Sequence, residues 1–326
     1  MSLVDAFGRV HDDLRISITD RCNLRCVYCL EEDATFRPRA ELLTRDELRR
    51  VVGVARDLEI TSVRLTGGEP LVRADAADIV ADVAALGFRD VALTTNGTRL
   101  ERLAPRLSDA GLTRVNVSCD SLRPERFGAI RRRGRLGEVL AAMDAAEAAG
   151  LTPVKVNVVL ARDVNDDEIL DFARFARTYG RVVRFIEYMP LDAAGAWARA
   201  RVVPSAEVLE TIAARWPLEA VSTPGDAAPA VRYRFCDGAG EIGVIATVTQ
   251  PFCGTCNRLR LTADGMVRNC LFSDDESSVR DLMRGGAGDE AVAAVFAAVL
   301  GRKRAGHGID EPGFLRPRRS MSMIGG

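Results

Sequence analysis

The chain has 326 residues, 47% of them hydrophobic and 28% charged, with a formal net charge of −1. Such a composition supports a packed core, and the balanced charge excludes a general pull toward nucleic acid or membrane. No apolar run is long enough to span a bilayer and the first fourteen residues are too polar for a signal peptide, so a cytoplasmic protein is expected, and its eight cysteines read as metal ligands rather than disulfides.

Strand patterns at residues 14–19, 62–66, 91–95, 114–118, 154–160 and 182–187 alternate with helical patterns at 45–58, 76–86, 100–110, 136–149 and 167–179. Thr44-Arg45-Asp46-Glu47 is a capping box that places a helix start at Thr44. Gly87, Gly111, Gly150 and Gly180 close the helical runs. Alternating strands and helices of this kind predict βαβ units and a parallel sheet, curled into a barrel or left open. In either case ligands sit at the carboxyl ends of the strands. The loops at those ends hold residues 20–30, Gly67-Gly68-Glu69-Pro70 and Asn96-Gly97.

The pattern changes after Met189. Residues 190–200 read as a loop, 204–215 as a helix and 221–230 as a linker. Two hairpins follow, 231–236 with 241–245 and 258–262 with 266–269, turning at Asp237-Gly238-Ala239-Gly240 and Ala263-Asp264-Gly265. Two helices and a Gly- and Arg-rich tail complete the chain. A large domain over 1–189 and a smaller α+β domain over 190–326 are expected.

The two histidines, His11 and His307, sit beside no Ser or Cys nucleophile motif, which argues against triad hydrolysis. Only two lysines, Lys155 and Lys303, stand against 43 arginines. Codon bias explains such a ratio in general. A lysine that survives it suits a pocket needing a compact ammonium, and Lys155, on the fifth predicted strand, is the candidate.

Cys22-x3-Cys26-x2-Cys29 is the strongest signal. Three thiolates on one loop can hold three irons of a 4Fe–4S cluster and leave the fourth open, where electron-transfer clusters take four cysteines. The alternative is zinc, which favours CxxC pairs and four ligands. Cys253-x2-Cys256-x13-Cys270 supplies a second set of three, with zinc again the alternative. Arg258 and Arg260, two residues apart on a predicted strand, project to one face and could grip phosphate. Cys119 and Cys236 read as small packing thiols.

Cys22-x3-Cys26-x-Tyr28-Cys29, followed by Gly67-Gly68-Glu69-Pro70, resembles the radical S-adenosylmethionine superfamily. That resemblance implies S-adenosylmethionine on the open iron, its cleavage to a 5′-deoxyadenosyl radical, and contacts to it from Tyr28, Gly68, Ser118 and Met189. With the second cysteine set, the arginine pair and the Gly325-Gly326 end, the whole chain is similar to the GTP 3′,8-cyclase family. Cys119 departs from that family's larger apolar residue. The resemblance implies an incomplete (β/α)6 TIM-type barrel with a smaller C-terminal α+β domain and two 4Fe–4S clusters. It implies GTP contacts at Arg15, Arg64, Thr95, Lys155, Arg258, Leu259 and Arg260, with Arg15, Arg258, Arg260, Gly325 and Gly326 serving the reaction. An external one-electron reductant, a homodimer and a downstream cyclic pyranopterin monophosphate synthase are further implications. A peptide-modifying relative in the same superfamily is the rival enzyme, and a zinc-stabilised scaffold the non-enzyme rival.

Overall fold

A computed structural model describes residues 2–192, 195–221 and 227–325. Part of the predicted linker at 221–230, two residues of the predicted loop at 190–200, and Gly326 therefore lie outside the described residues.

The first half runs β1 (Asp13–Ser17), α1 (Arg45–Asp57), β2 (Ser62–Thr66), α2 (Ala76–Ala85), β3 (Asp90–Thr95), α3 (Leu100–Asp109), β4 (Arg114–Ser118), α4 (Pro124–Arg131), α5 (Leu136–Ala148), β5 (Lys155–Leu160), α6 (Ile169–Tyr179) and β6 (Val182–Glu187). Every predicted strand and helix of this half is present, with no end moved by more than two residues. Helix α4 was not expected: its sequence has almost no apolar periodicity, and it forms after Pro124, which presets the first turn.

The remainder adds α7 (Ser205–Ala213), β7 (Leu218–Ala220), β8 (Val231–Phe235), β9 (Glu241–Ile245), β10 (Arg258–Leu261), β11 (Met266–Arg268), β12 (Glu276–Ser278), α8 (Arg280–Arg284), α9 (Asp289–Gly301) and α10 (Met321–Ile324). Both predicted hairpins form, β8 with β9 and β10 with β11. Strands β7 and β12 extend them outward and were missed because each has only three residues.

All strands belong to one sheet, in the order β12-β11-β10-β1-β2-β3-β4-β5-β6-β9-β8-β7. Strands β1 to β6 are parallel neighbours in chain order, and β1 does not close onto β6. This is an open, incomplete barrel. Its two edges are covered by the C-terminal hairpins, since β10 adds parallel to β1 and β9 adds parallel to β6. An uncovered strand edge would present unpaired N–H and C=O groups; the later segment pairs the free edges of β1 and β6 and moves the sheet's ends out to the three-residue strands β12 and β7.

Leu14, Ile16, Val63, Leu65, Leu259 and Leu261 point outward into the core under the helices and are 1% exposed or less. Alternate residues of the same strands point inward. Helix α5 packs through Leu136, Val139, Ala142, Met143 and Ala146, an apolar stripe at helical spacing. At the start of α1, the Glu47 amide donates to Thr44 Oγ1 at 3.2 Å and the Thr44 amide to Glu47 Oε2 at 2.8 Å, the reciprocal bonds expected of the capping box. Thr44→Ala should cost about 1 kcal/mol of stability, read as a lower urea midpoint with unchanged slope.

Candidate active site

Residues 19–30 form no helix or strand, and their cysteines face a cavity at the carboxyl ends of the strands. The segment is held from outside instead. The amides of Arg25 and Val27 donate to the carbonyls of Arg131 and Ile130 at the end of α4, at 3.2 and 3.0 Å. The Arg25 guanidinium donates to the carbonyls of Cys22 and Leu24, each at 2.9 Å, and lies over the Phe36 ring. Cys22, Cys26 and Cys29 all line the cavity.

Gly67 and Gly68 have a local reason. A Cβ at Gly68 would stand 2.5 Å from the Arg21 carbonyl oxygen, and Gly67 at φ 152° passes equally close to Thr19. The Gly68 amide donates to the Thr19 carbonyl at 2.9 Å and the Glu69 amide to that of Arg21 at 2.8 Å. The pair of glycines thus seats this loop directly on the root of the cysteine loop. Glu69 is buried and accepts from the Leu71 amide, the Asn96 amide and Thr95 Oγ1, at 2.9, 2.6 and 2.8 Å. It joins the second and third strand loops, and the sequence reading assigned it nothing beyond its place in the motif.

Tyr28 is half-buried and its hydroxyl donates to Asp120 Oδ2 at 2.6 Å; Asp120 also pairs with the buried Arg131 at 2.8 Å. Ser118 and Met189 line the same cavity. Burial pushes the Cys22 thiol up to about 11 and raises Cys26 and Cys29 as well. Such thiols stay protonated at neutral pH until a cation binds them.

Cys253, Cys256 and Cys270 line the cavity's other side. Burial alone would raise Cys256, but Arg258 and Lys303 outweigh it and hold the thiol down at about 7. The two triplets face one cavity. His307 lines it too, but its Nε2 is bonded to the Thr247 carbonyl and its Nδ1 accepts from the Ile309 amide, while Glu69 and Asp120 are taken up by their own hydrogen bonds. The thiols are therefore the ligands left to a metal, which suits iron–sulfur chemistry. Among the described residues no His, Cys, Asp or Glu group of three or more could hold a single metal ion. Cluster thiolates bind different irons and need not converge on one point.

Between the triplets the strand alternation produces a row of cations. Arg15 is level with Arg64 on β2 and with Arg260 on β10. Arg258 and Arg184 face the same cavity, and all five arginines are buried, at 6–9% exposure. The only carboxylate in ion-pair contact with any of them, among the described residues, is Asp13, at 3.1 Å from Arg15. Arg64 Nε and Arg258 Nε and Nη2 have no hydrogen-bond partner. Burial and the neighbouring guanidiniums push Arg184 and Arg260 down to about 9 and Arg64 well below its usual range. Adjacent like charges are destabilising unless an anion lies between them.

Three expected residues sit differently. Leu259 turns its side chain into the core and could offer a ligand only its backbone. Lys155 starts β5, half-buried beside Arg184, Arg114 and Arg64, and does not line the cavity. Gly325 is buried against Ser17 and Thr66, where any side chain would clash, and its carbonyl accepts from Arg260. Arg184 was missed because β6 reads as a plain buried strand.

The chain matches the model of the Radical SAM superfamily over residues 16–176 and that of Molybdenum Cofactor Synthesis C over 181–309. A relative from Mycobacterium sp. (strain KMS) named GTP 3′,8-cyclase is 50% identical over 99% of this chain and 93% of its own. One from Corynebacterium glutamicum with the same name is 45% identical, over 99% and 89%. Among solved structures, Streptococcus suis SuiB bound to S-adenosylmethionine has a TM-score of 0.62 at 12% identity, covering 89% of this chain and 69% of its own. anSMEcpe with bound AdoMet has 0.57 at 14%, covering 90% and 81%. At those identities the two structures share the fold alone. The full-length relatives, together with both domain matches, identify the chain as a member of the GTP 3′,8-cyclase family within the radical S-adenosylmethionine superfamily.

Proposed function

We propose that the chain cyclises GTP to 3′,8-cyclo-7,8-dihydro-GTP by radical S-adenosylmethionine chemistry, the first step of molybdenum cofactor biosynthesis. The observation that carries the substrate is the row Arg64–Arg15–Arg260, with Arg258 and Arg184 beside it. Five buried cations with one carboxylate among them match a triphosphate, whose oxygens are charged acceptors.

Cys22, Cys26 and Cys29 would hold one 4Fe–4S cluster and Cys253, Cys256 and Cys270 a second. With S-adenosylmethionine bound, the first supplies a 5′-deoxyadenosyl radical. Tyr28, Gly68, Ser118 and Met189 bound the place for that cofactor. The arginines orient the nucleotide phosphates, Thr95 completes the polar wall, Lys155 adds a positive charge behind Arg184 and Arg64 at the start of β5, and Gly325 brings the tail against the substrate. Met189, Leu191, Phe272 and Ile324 pack together over one side and keep water out. Residues 1–189 form the barrel domain and 190–326 the domain carrying the second cluster. A cytoplasmic homodimer, an external one-electron reductant and a downstream cyclic pyranopterin monophosphate synthase complete the reading. Among the described residues no helix is long and apolar enough to cross a membrane.

The test is an anaerobic assay of the reconstituted, reduced protein with S-adenosylmethionine and GTP, with ATP as control. 5′-Deoxyadenosine and cyclised nucleotide should both form with GTP. 5′-Deoxyadenosine without a nucleotide product would remove GTP as the substrate.

Lys155 gives this site a pH dependence. Burial, then Arg184, Arg114 and Arg64, push it from 10.5 down to about 7. Between those values the unfolded chain binds the extra proton, so nucleotide-free stability should rise with pH from about 7 toward 10.5. A bound triphosphate favours the ammonium, so GTP binding at pH 8 should take up a proton. Calorimetry in buffers of different ionisation enthalpy reads this directly; a buffer-independent heat, or uptake undiminished in Lys155→Met, counts against it.

A further inference from the structure

Lys303 belongs to no motif, yet it is one of only two lysines in the chain and is 6% exposed. It follows α9, and its ammonium reaches three acceptors. Nζ lies 3.5 Å from Cys256 Sγ, 3.0 Å from the Arg258 carbonyl oxygen and 2.7 Å from the Asn269 carbonyl oxygen. An ammonium has three N–H donors, and all three are used. The two carbonyls belong to the separate segments that carry Cys256 and Cys270. Lys303 therefore clamps the roots of two thiols of the second triplet and puts a positive charge against one of them.

The surrounding chain supports the clamp. Asn269 Nδ2 donates to the Val299 carbonyl at 2.8 Å, which ties the Cys270 segment to α9. Arg9 donates to the Cys253 carbonyl at 2.6 Å and to the carbonyls of Ala305 and Arg304 at 2.9 and 2.8 Å, which holds the chain just beyond Lys303 to the third thiol's segment. The general replacement of lysine by arginine stops here for a geometric reason. A guanidinium is a planar fork and cannot direct three bonds from one atom to a sulfur and two carbonyls.

We propose that Lys303 is a positioning residue of the second iron–sulfur site, which fixes the Cys256 and Cys270 thiolates relative to each other and raises the reduction potential of the cluster they hold. The inference rests on the reading that Cys253, Cys256 and Cys270 bind such a cluster. A cluster that gains an electron becomes more negative. A cation donating to its thiolate favours that state, as hydrogen bonds and net charge at the sulfurs generally do.

The experiment uses the full chain with Cys22, Cys26 and Cys29 replaced by alanine, so that only the second site can be loaded. After anaerobic reconstitution, iron and sulfide are counted and the cluster is titrated by electron paramagnetic resonance. Lys303→Met should lower the reduction equilibrium constant about tenfold, which is 59 mV for a one-electron couple. Lys303→Arg keeps the charge and should stay near the parent potential while losing iron faster to a chelator. If the parent binds no iron at this site, the two-cluster reading fails, and this inference with it. If the parent is loaded but Lys303→Met leaves its potential unchanged, or Lys303→Arg lowers it as far as Met does, the inference alone is overturned.

Discussion

Cys26→Ala should abolish the cleavage of S-adenosylmethionine and remove the iron bound by the first triplet, while the protein stays folded. The thiol is buried at 9% exposure and its loop is held by contacts that do not involve the sulfur: Arg25 to three carbonyls, and two amides to the end of α4. Alanine leaves those intact and removes only the ligand. Two thiolates cannot retain a cluster that uses three. Iron content, 5′-deoxyadenosine yield and near-ultraviolet circular dichroism together read the result. Undiminished 5′-deoxyadenosine in the variant would mean that the first triplet does not carry the chemistry.

Arg258→Ala and Arg260→Ala should each weaken GTP binding by roughly 10- to 150-fold, the loss of one charge-assisted hydrogen bond of about 1.5–3 kcal/mol. Without nucleotide the same variants should be no less stable than the parent, because each removes a buried guanidinium crowded by its neighbours. That opposite sign separates a binding role from a structural one. Arg260→Ala has a second consequence, since its guanidinium also holds the Gly325 carbonyl. It should lower turnover at saturating GTP, which Arg258→Ala should do less. Equilibrium binding, turnover and urea denaturation measure the three effects. Equal losses of stability and binding in both variants would point to a folding role.

Much of the barrel was legible because each strand–helix unit signals itself locally. Branched apolar residues alternating with polar ones mark strands such as β1, β2, β4 and β5, and Gly87, Gly111, Gly150 and Gly180 take positive φ where the helices end. The first cysteine triplet stood out because three thiolates on one loop have few other uses; the second is split across the β10–β11 hairpin, and the fold brings its parts to the same cavity. Helix α4 was not, since Pro124–Arg131 has no apolar stripe, and it is the element whose last carbonyls hold the Cys26 loop.

The sequence alone singled out six cysteines as candidate metal ligands and determined which strand faces carry arginine, because spacing of two along a strand is a local property. It could not say that Arg260 stands beside Arg15. Those residues are far apart in the chain, and the contact exists only because β10 adds parallel to β1 in one register. The same holds for Lys303, whose meaning comes from two carbonyls and a thiol on other segments, and for Gly325, a terminal residue seated between Ser17 and Thr66. Local pattern determines elements and ligand types. The meeting of cations, thiols and tail at one cavity depends on long-range pairing, which is decided by the fold as a whole.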